Sequence, residues 1–124
     1  MQILISNHTT KPIYEQITSQ IKHAIMNGEL KSGDPLPSMR ALAKDLHISV
    51  ITTQKAYEDL QRDGFIESAA GRGTFVSSQN KEFIREEQLR LAEAKLQEAA
   101  EIGRLNGIPL ETLTKLLTMF YDEG

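Results

Sequence analysis

The stretch from Ser49 to Lys55 concentrates side chains that can recognise another molecule through hydrogen bonds and charge. It offers hydroxyls at Ser49 and Thr52, an amide at Gln54 and an amine at Lys55, within two turns of a predicted helix. Hydroxyls and amides bond to the edges of nucleic-acid bases, and amines bond to phosphates. Polar helix faces are often merely solvated, so this stretch alone does not separate binding from plain exposure.

A second stretch, Ala69–Val76, places Arg72 between Gly71 and Gly73, next to the β-prone residues 74–76. Glycine lets the backbone turn sharply and approach another molecule without a Cβ in the way. An arginine at the tip of such a turn is placed to reach a phosphate or the electronegative minor groove of DNA. The alternative is an ordinary hairpin turn with an exposed cation.

Groups for catalysis or metal binding do not occur at useful spacings. The chain has no cysteine, and His8, His23 and His47 are not at the spacing of metal ligands. Gly71 and Gly73 are a fragment of a dinucleotide-binding fingerprint that lacks its third glycine. No nucleophile, base and orienting group are visible as a set. The sequence therefore predicts a protein that is not an enzyme and that holds no metal or cofactor.

Length and composition are those of an ordinary globular chain. Its 124 residues are 40% apolar and 25% charged, which suits one domain, or a small domain with an appendage. No apolar run approaches the ~18 residues of a membrane span, and the N-terminus lacks the basic start of a signal peptide. We therefore expect a cytoplasmic protein with no membrane partner.

The net charge of −3 is unevenly distributed. Residues 1–78 hold eight Lys/Arg and eight Asp/Glu, whereas residues 79–124 hold six and nine. Within residues 38–57, Arg40, Lys44 and Lys55 are opposed only by Asp45. A local basic patch can bind phosphates although the whole chain is acidic. The alternative partner of Arg40 is Asp45, but an exposed ion pair contributes little, which favours phosphate contact.

The apolar pattern predicts the elements that hold these groups. Ile3 and Ile5 alternate with polar residues and predict a short edge strand. After Lys11-Pro12, isoleucines recur every four residues over 13–25 and predict a first helix, which Gly28 ends.

Two further helices are predicted about three residues apart, the spacing of a helix-turn-helix. Ser38 is a good N-cap for a short amphipathic helix over 39–46, and Ser49 is a good N-cap for a helix from Val50 onward. Asp63-Gly64 ends this third helix.

A β-hairpin follows, with predicted strands at 65–68 and 74–76 and a glycine-containing loop between them. The predicted fold class is therefore mainly α with a small β-wing (α+β), a winged helix-turn-helix. In such modules the third helix enters the major groove, which admits one α-helix. Ser38, at the start of the second helix, offers a hydroxyl and free N–H groups to a phosphate, and Arg40 adds a charge.

The polar residues 77–80 predict a boundary between a DNA-binding domain, residues 1–78, and a helical dimerisation tail, residues 79–124. The tail contains a long helix over 81–105 and a last helix from Leu110 to near Tyr121. Two amphipathic helices of this size cannot bury their apolar faces alone. We expect a homodimer through a face made of Leu89, Ala92, Leu96, Ala99, Gly103, Leu113, Leu116, Leu117 and Phe120. The alternative is that this face packs on the chain's own first domain.

Four segments of the chain resemble the GntR family of bacterial transcription regulators. They read P-I-Y-E-Q-I at 12–17, G-D-P-L-P-S-M-R-A-L-A-K-D-L at 33–46, T-T-Q-K-A-Y-E-D-L-Q-R-D-G-F-I at 52–66 and G-R-G-T-F-V at 71–76. The resemblance covers roughly residues 11–76 without a gap and is specific. The short two-helix tail is similar to that of the YtrA-type branch, which lacks a large effector domain.

The resemblance implies where DNA is contacted and how the protein assembles. The family's DNA contacts carry over to Ser38, Arg40, Ser49, Thr52, Gln54, Lys55, Gly71, Arg72 and Gly73. Members of the branch typically dimerise through the tail and often regulate neighbouring ABC-transporter genes, which the resemblance implies for this chain.

One departure from the family pattern lies at Val50-Ile51, where the family usually has proline, arginine or a polar residue. Two apolar β-branched residues cannot hydrogen-bond a base. Either they contact thymine methyls or they leave their positions unread. The family's usual operator consensus is therefore not assumed.

These observations together predict a sequence-specific DNA-binding regulator, a repressor that acts as a homodimer on a pseudo-palindromic operator. Half-site centres should lie about 10 bp apart, or a multiple of that. The predicted partners are double-stranded DNA, a second copy of the chain and a small-molecule effector, whose existence the sequence leaves open. The alternative is a winged-helix module that binds proteins and is not retained on DNA at low salt.

Overall fold

The computed structural model describes residues 1–78 and 81–123, and the chain divides into two compact units, Met1–Ile84 and a second unit from Arg85 onward. The elements are α1 (Ile13–Met26), α2 (Met39–Leu46), α3 (Val50–Arg62), β1 (Ile66–Ala69), β2 (Gly73–Val76), α4 (Lys81–Asn106) and α5 (Leu110–Glu123). The predicted fold class is confirmed: a mainly helical winged helix-turn-helix followed by two helices. Part of the predicted linker, Gln79 and Asn80, lies outside the described residues. Within the described ranges, no helix is long and apolar enough to cross a membrane.

α1 forms one wall of the core of the first unit. Its isoleucine stripe faces inward, and Ile17, Ile21 and Ile25 are buried where α1 packs on α3. Pro12 precedes the helix with φ −56°, a value that fits a helix start. The chain turns away at Gly28, whose φ of +87° is a conformation that side chains with a Cβ rarely adopt.

The N-terminal segment does not form the predicted edge strand. Ile3 is buried, but the backbone around it pairs with side chains of α1 and not with a strand. The Gln20 amide donates to the Leu4 carbonyl at 2.7 Å and accepts from the Leu4 N–H at 2.9 Å. Gln16 makes the same two bonds with Ser6, each at 2.9 Å. The prediction was wrong because these amides satisfy the backbone groups that a neighbouring strand would have satisfied.

The turn between α2 and α3 consists of residues 47–49. His47 ends α2 in the left-handed conformation with φ +57°, which is uncommon for a residue other than glycine. The Ile48 N–H donates to the Ala43 carbonyl at 3.0 Å and closes the helix end. Ser49 then begins α3 with an extended backbone, as its predicted capping role requires.

β1 and β2 form an antiparallel hairpin in which Ile66 lies opposite Val76 and Ala69 lies opposite Gly73. β1 begins one residue later than predicted, because the Phe65 N–H donates to the Leu60 carbonyl at the end of α3, at 2.9 Å. Phe65 itself is buried in the core. The hairpin is therefore rooted in the core at both strands by Phe65, Ile66 and Val76.

Residues 31–37, which we call the connector, run beside β2 before α2 begins. The Gly33 N–H donates to the Val76 carbonyl and the Leu36 N–H donates to the Thr74 carbonyl, each at 2.9 Å. Through these bonds the connector lies along β2 as a third short strand would, and it links the base of the hairpin to the start of α2.

In the second unit, α5 returns towards α4 after a turn at Gly107, whose φ is +69°. Gly103 lies at the place where the two helices approach each other. A Cβ there would be 2.8 Å from Leu113 Cδ1 and 3.3 Å from the Ile108 carbonyl oxygen, so glycine permits the approach. α5 extends to Glu123, two residues beyond the predicted end near Tyr121, and none of its residues is buried.

Candidate nucleic-acid interface

α3 has one buried side and one exposed side. The buried residues are Thr53, Ala56, Tyr57 and Leu60. Ile51, Gln54, Lys55 and Glu58 are exposed, and their spacing of three and four residues puts them on one face of the helix. We call these four residues the reading face. It presents apolar, amide, cationic and carboxylate groups in a single stripe along the helix.

Tyr57 fixes α3 to the connector. Its ring is among the most completely buried side chains, and its hydroxyl donates to the Pro37 carbonyl at 2.7 Å. Burial raises the pKa of Tyr57 to about 12, because desolvation disfavours the charged phenolate. The phenol therefore remains a neutral hydrogen-bond donor at ordinary pH and serves packing, not base stacking.

The two serines among the predicted contacts are also the helix caps. Ser38 Oγ accepts from the Ala41 N–H and Ser49 Oγ accepts from the Thr52 N–H, each at 3.1 Å. Ser49 Oγ also lies 2.9 Å from Thr52 Oγ1. An oxygen that accepts a capping bond keeps its own hydrogen for donation. The Ser38 hydroxyl can therefore donate to a phosphate without leaving its cap.

The cations of the first unit fall into two groups. Lys22 pairs with Asp63 at 3.1 Å, and Arg62 pairs with the carboxylates at the end of α3. Arg40 and Lys55, by contrast, are exposed and have no carboxylate within 4.0 Å among residues 1–78 and 81–123. The alternative pairing of Arg40 with Asp45 does not form in these ranges. These charges remain available to an anionic partner.

Lys55 is held in place by an aromatic ring. Its Nζ lies 4.6 Å from the centroid of the Tyr14 ring on α1, a cation–π contact. Such a contact orients the lysine without neutralising its charge. The ammonium group is thus presented from α3 with its full charge.

Gln54 is oriented by its neighbour on the reading face. Its Nε2 donates to Glu58 Oε1 at 3.0 Å. One hydrogen of the amide nitrogen and the whole carbonyl oxygen remain for other partners. Glu58 therefore limits the rotation of the amide that was predicted to contact bases.

The hairpin loop presents Arg72 as predicted. Gly71 and Gly73 have φ values of +80° and +75°, and nothing lies within 4 Å of the place where a Cβ would stand on either. Backbone conformation therefore selects glycine here, whereas local crowding does not. The Arg72 guanidinium carbon lies 4.5 Å from the centroid of the Phe75 ring. Stacking on this ring shapes the tip of the wing and leaves the charge exposed.

The predicted dimer face is largely open in the second unit. Leu89, Ala92, Leu96, Leu116, Leu117 and Phe120 are exposed, Ala99 and Leu113 are half-buried, and Gly103 is buried. Gly103 acts within the chain, where it lets α5 approach α4. Leu96, Leu117 and Phe120 line an apolar groove of about 340 Å³ between these helices.

All nine predicted DNA contacts lie in the first unit and none is buried. The reasoning from sequence missed three side chains that orient them: Glu58, Tyr14 and Phe75. Glu58 carries a detectable signal, its four-residue spacing from Gln54. Phe75 lies three residues after Arg72 in a predicted hairpin. Tyr14 has no such signal, because α1 and α3 meet only in the folded chain.

Known proteins resemble this chain in sequence and in fold. The family model described as bacterial regulatory proteins, gntR family, matches residues 13–76. The HTH-type transcriptional repressor YtrA of Bacillus subtilis is 37% identical over 90% of this chain and 85% of its own length. YtrA from Sulfolobus acidocaldarius, a GntR-family transcription factor, has a TM-score of 0.65 and 30% identity, covering 98% of this chain and 97% of its own. AraR(DBD), solved in complex with operator ORX1, has a TM-score of 0.54 and 28% identity over 62% of this chain and 96% of its own.

Proposed function

The chain belongs to the GntR family of bacterial regulatory proteins, and we propose that it is a repressor that binds a pseudo-palindromic operator as a homodimer. Membership of the family makes it a DNA-binding transcriptional regulator and not an enzyme. The observation that carries the proposal is the reading face of α3, which is exposed along its length and includes Lys55, a cation that no described carboxylate neutralises. The relative YtrA is a repressor, which supports the direction of regulation.

In the proposed complex α3 lies in the major groove. Thr52, Gln54 and Lys55 contact base edges, because hydroxyl, amide and amine groups match the donors and acceptors displayed there. The hydroxyls of Ser38 and Ser49 and the guanidinium of Arg40 bind phosphates, which positions the helix but carries no sequence information. The wing, Gly71-Arg72-Gly73, reaches a phosphate or the adjacent minor groove.

The homodimer is supported by the apolar surface of the second unit. None of the residues of α5 is buried. Exposed leucines lie on both tail helices, and Phe120 is exposed on α5. Exposed apolar patches of this kind mark interaction surfaces. A twofold dimer buries the same face on both copies and reads two half-sites with centres about 10 bp apart or a multiple of that.

The dimer represses by covering a promoter, and neighbouring ABC-transporter genes are the proposed targets, in line with the YtrA-type tail. A small-molecule effector can regulate the dimer only by binding two of its geometries unequally. Since the protein acts on chromosomal DNA, its proposed place of action is the cytoplasm.

Selection of bound sequences from random duplex DNA tests the proposal. We expect an enriched pseudo-palindrome and an affinity that falls steeply as salt rises, because bound phosphates release counterions. Arg40→Ala should weaken binding to all sequences alike. Arg62→Ala, which removes an equal charge from a site paired with carboxylates, is the matched control and should have a smaller effect. No enriched motif, or no retention on DNA at low salt, would favour a protein-interaction module instead.

A further inference from the structure

The start of α3 carries an apolar surface that neither the fold nor the contacts proposed above use. Among residues 1–78 the exposed large apolar side chains are Met1, Leu4, Val50 and Ile51, and two of these four are adjacent at the first turn of α3. Val50 is 42% exposed and Ile51 is 78% exposed. The remaining apolar residues of α3 at positions 56, 57 and 60 are buried. The exposed apolar side chains of α3 are therefore confined to its N-terminal end, where the reading face begins.

Among residues 1–78 and 81–123, Ile51 packs against too little of the chain for the fold to explain its presence. It is too exposed to contribute to the core, and β-branched residues are weaker helix formers than alanine or leucine. The helix start is already stabilised by Ser49, which caps the Thr52 N–H. Leaving a large apolar side chain in water is unfavourable relative to covering it. A partner that covers Ile51 therefore gains binding energy from this side chain.

Ile51 shares the reading face with Gln54 and Lys55, so the partner that covers it is the one that these residues bind. In the major groove the base edges present donors, acceptors and one kind of apolar group, the C5-methyl of thymine. We propose that Ile51, with Val50 beside it, contacts a thymine methyl in each half-site and selects thymine at that position. The proposal rests on the DNA-binding function proposed above and resolves which of the two roles left open by the sequence these residues have.

Helix geometry sets the position of this thymine. Ile51 and Gln54 are three residues apart, which corresponds to about 4.5 Å along the helix axis. Successive base pairs are about 3.4 Å apart. The thymine should therefore lie one or two base pairs from the position at which Gln54→Ala changes base preference.

The test removes only the methyl group. Duplexes carrying the selected operator are prepared with thymidine or with deoxyuridine at the thymine that lies one or two base pairs from the Gln54-dependent position. The affinity of the full-length protein is measured for each duplex. The parent protein should bind the deoxyuridine operator about fourfold more weakly per replaced methyl, as expected for one buried methyl-sized group. Ile51→Ala should lose most of this difference, because Val50 alone then remains beside the methyl group. Leu4→Ala removes a side chain that is 70% exposed elsewhere in the same unit, and this control should keep the fourfold difference.

Two results would overturn the inference: a deoxyuridine penalty as large in Ile51→Ala as in the parent protein, or a selected motif with no thymine within two base pairs of the Gln54-dependent position. Because uracil pairs like thymine, the duplex substitution leaves the protein and the hydrogen-bonding pattern unchanged. A parent protein that selects no motif at all would instead refute the proposed function. The two failures are therefore distinguishable.

Discussion

Replacing Leu96 by alanine should weaken the proposed homodimer about 30-fold, whereas Leu91→Ala should leave it nearly unchanged. Both leucines are on α4, and they are 49% and 51% exposed respectively. Leu96 lines the apolar groove between α4 and α5, whereas Leu91 is rotated roughly 140° away from it around the helix. The two variants thus remove the same atoms from the same helix and differ only in face.

The magnitude follows from the exposure of Leu96. Complete burial of a leucine side chain contributes about 1.5–3 kcal/mol. Half of this burial remains to be gained on assembly, which is roughly 1 kcal/mol per copy and about 2 kcal/mol for a symmetric pair. Since about 1.4 kcal/mol corresponds to a tenfold change, the dissociation constant of the dimer should rise about 30-fold.

Sedimentation equilibrium over a micromolar concentration series measures this constant for the parent protein and both variants. Circular dichroism should show equal helix content, because both substitutions replace an exposed leucine by a good helix former. Equal weakening by Leu96→Ala and Leu91→Ala would contradict the assignment of the face. A parent protein that sediments as a monomer with an ordered tail would contradict the dimer itself.

Three further variants test the wing, the reading face and the contact of α3 with the connector. Arg72→Ala should weaken binding to all duplexes, reduce the slope of log affinity against log salt by about one and leave folding and dimerisation intact; an unchanged slope would place Arg72 away from DNA. Glu58→Ala should relax base preference in a selection at the same position as Gln54→Ala, because it frees the amide to rotate, and preference as sharp as the parent's would refute the orienting role. Tyr57→Phe should lower the free energy of unfolding by about 0.5–1.5 kcal/mol at pH 8, because it removes the hydrogen bond between the Tyr57 hydroxyl and the half-buried Pro37 carbonyl. The parent's pKa of about 12 at this tyrosine exceeds the unfolded value of 10, so its stabilisation is complete below pH 10 and is lost as the pH rises to 12; urea unfolding should show this loss in the parent but not in Tyr57→Phe.

The order of the elements could be predicted because most helices carry their own boundary signals. Ser38 and Ser49 act as caps in the structure, and Gly28 and Gly107 turn the chain after α1 and α4. The N-terminal segment could not be predicted in this way. Its backbone partners are side chains of α1 on the far side of a loop, and alternation of apolar residues does not reveal them.

The composition of the candidate site could be predicted, but the support of its side chains could not. Sequence spacing places Gln54 and Lys55 on one helix face. The ring under Lys55 belongs to Tyr14, 41 positions earlier in the chain, and only the packing of α1 on α3 brings the two together. The outward position of Val50 and Ile51 was already implied by their place at the start of the third helix, whereas their unequal exposure, 42% and 78%, could be read only from the structure.

The connector joins the two parts of the first unit that are proposed to meet DNA. Its Pro37 carbonyl accepts a hydrogen bond from the Tyr57 hydroxyl of α3. The N–H groups of its Gly33 and Leu36 donate to carbonyls of β2. α3 and the hairpin that carries the wing are therefore both hydrogen-bonded to the connector, which restricts the movement of one relative to the other. When this unit binds a duplex whose groove widths do not match the distance between α3 and the wing, the duplex must deform. The free-energy cost of that deformation depends on the stacking of the base steps. Base pairs that no side chain touches would then influence affinity through their stiffness.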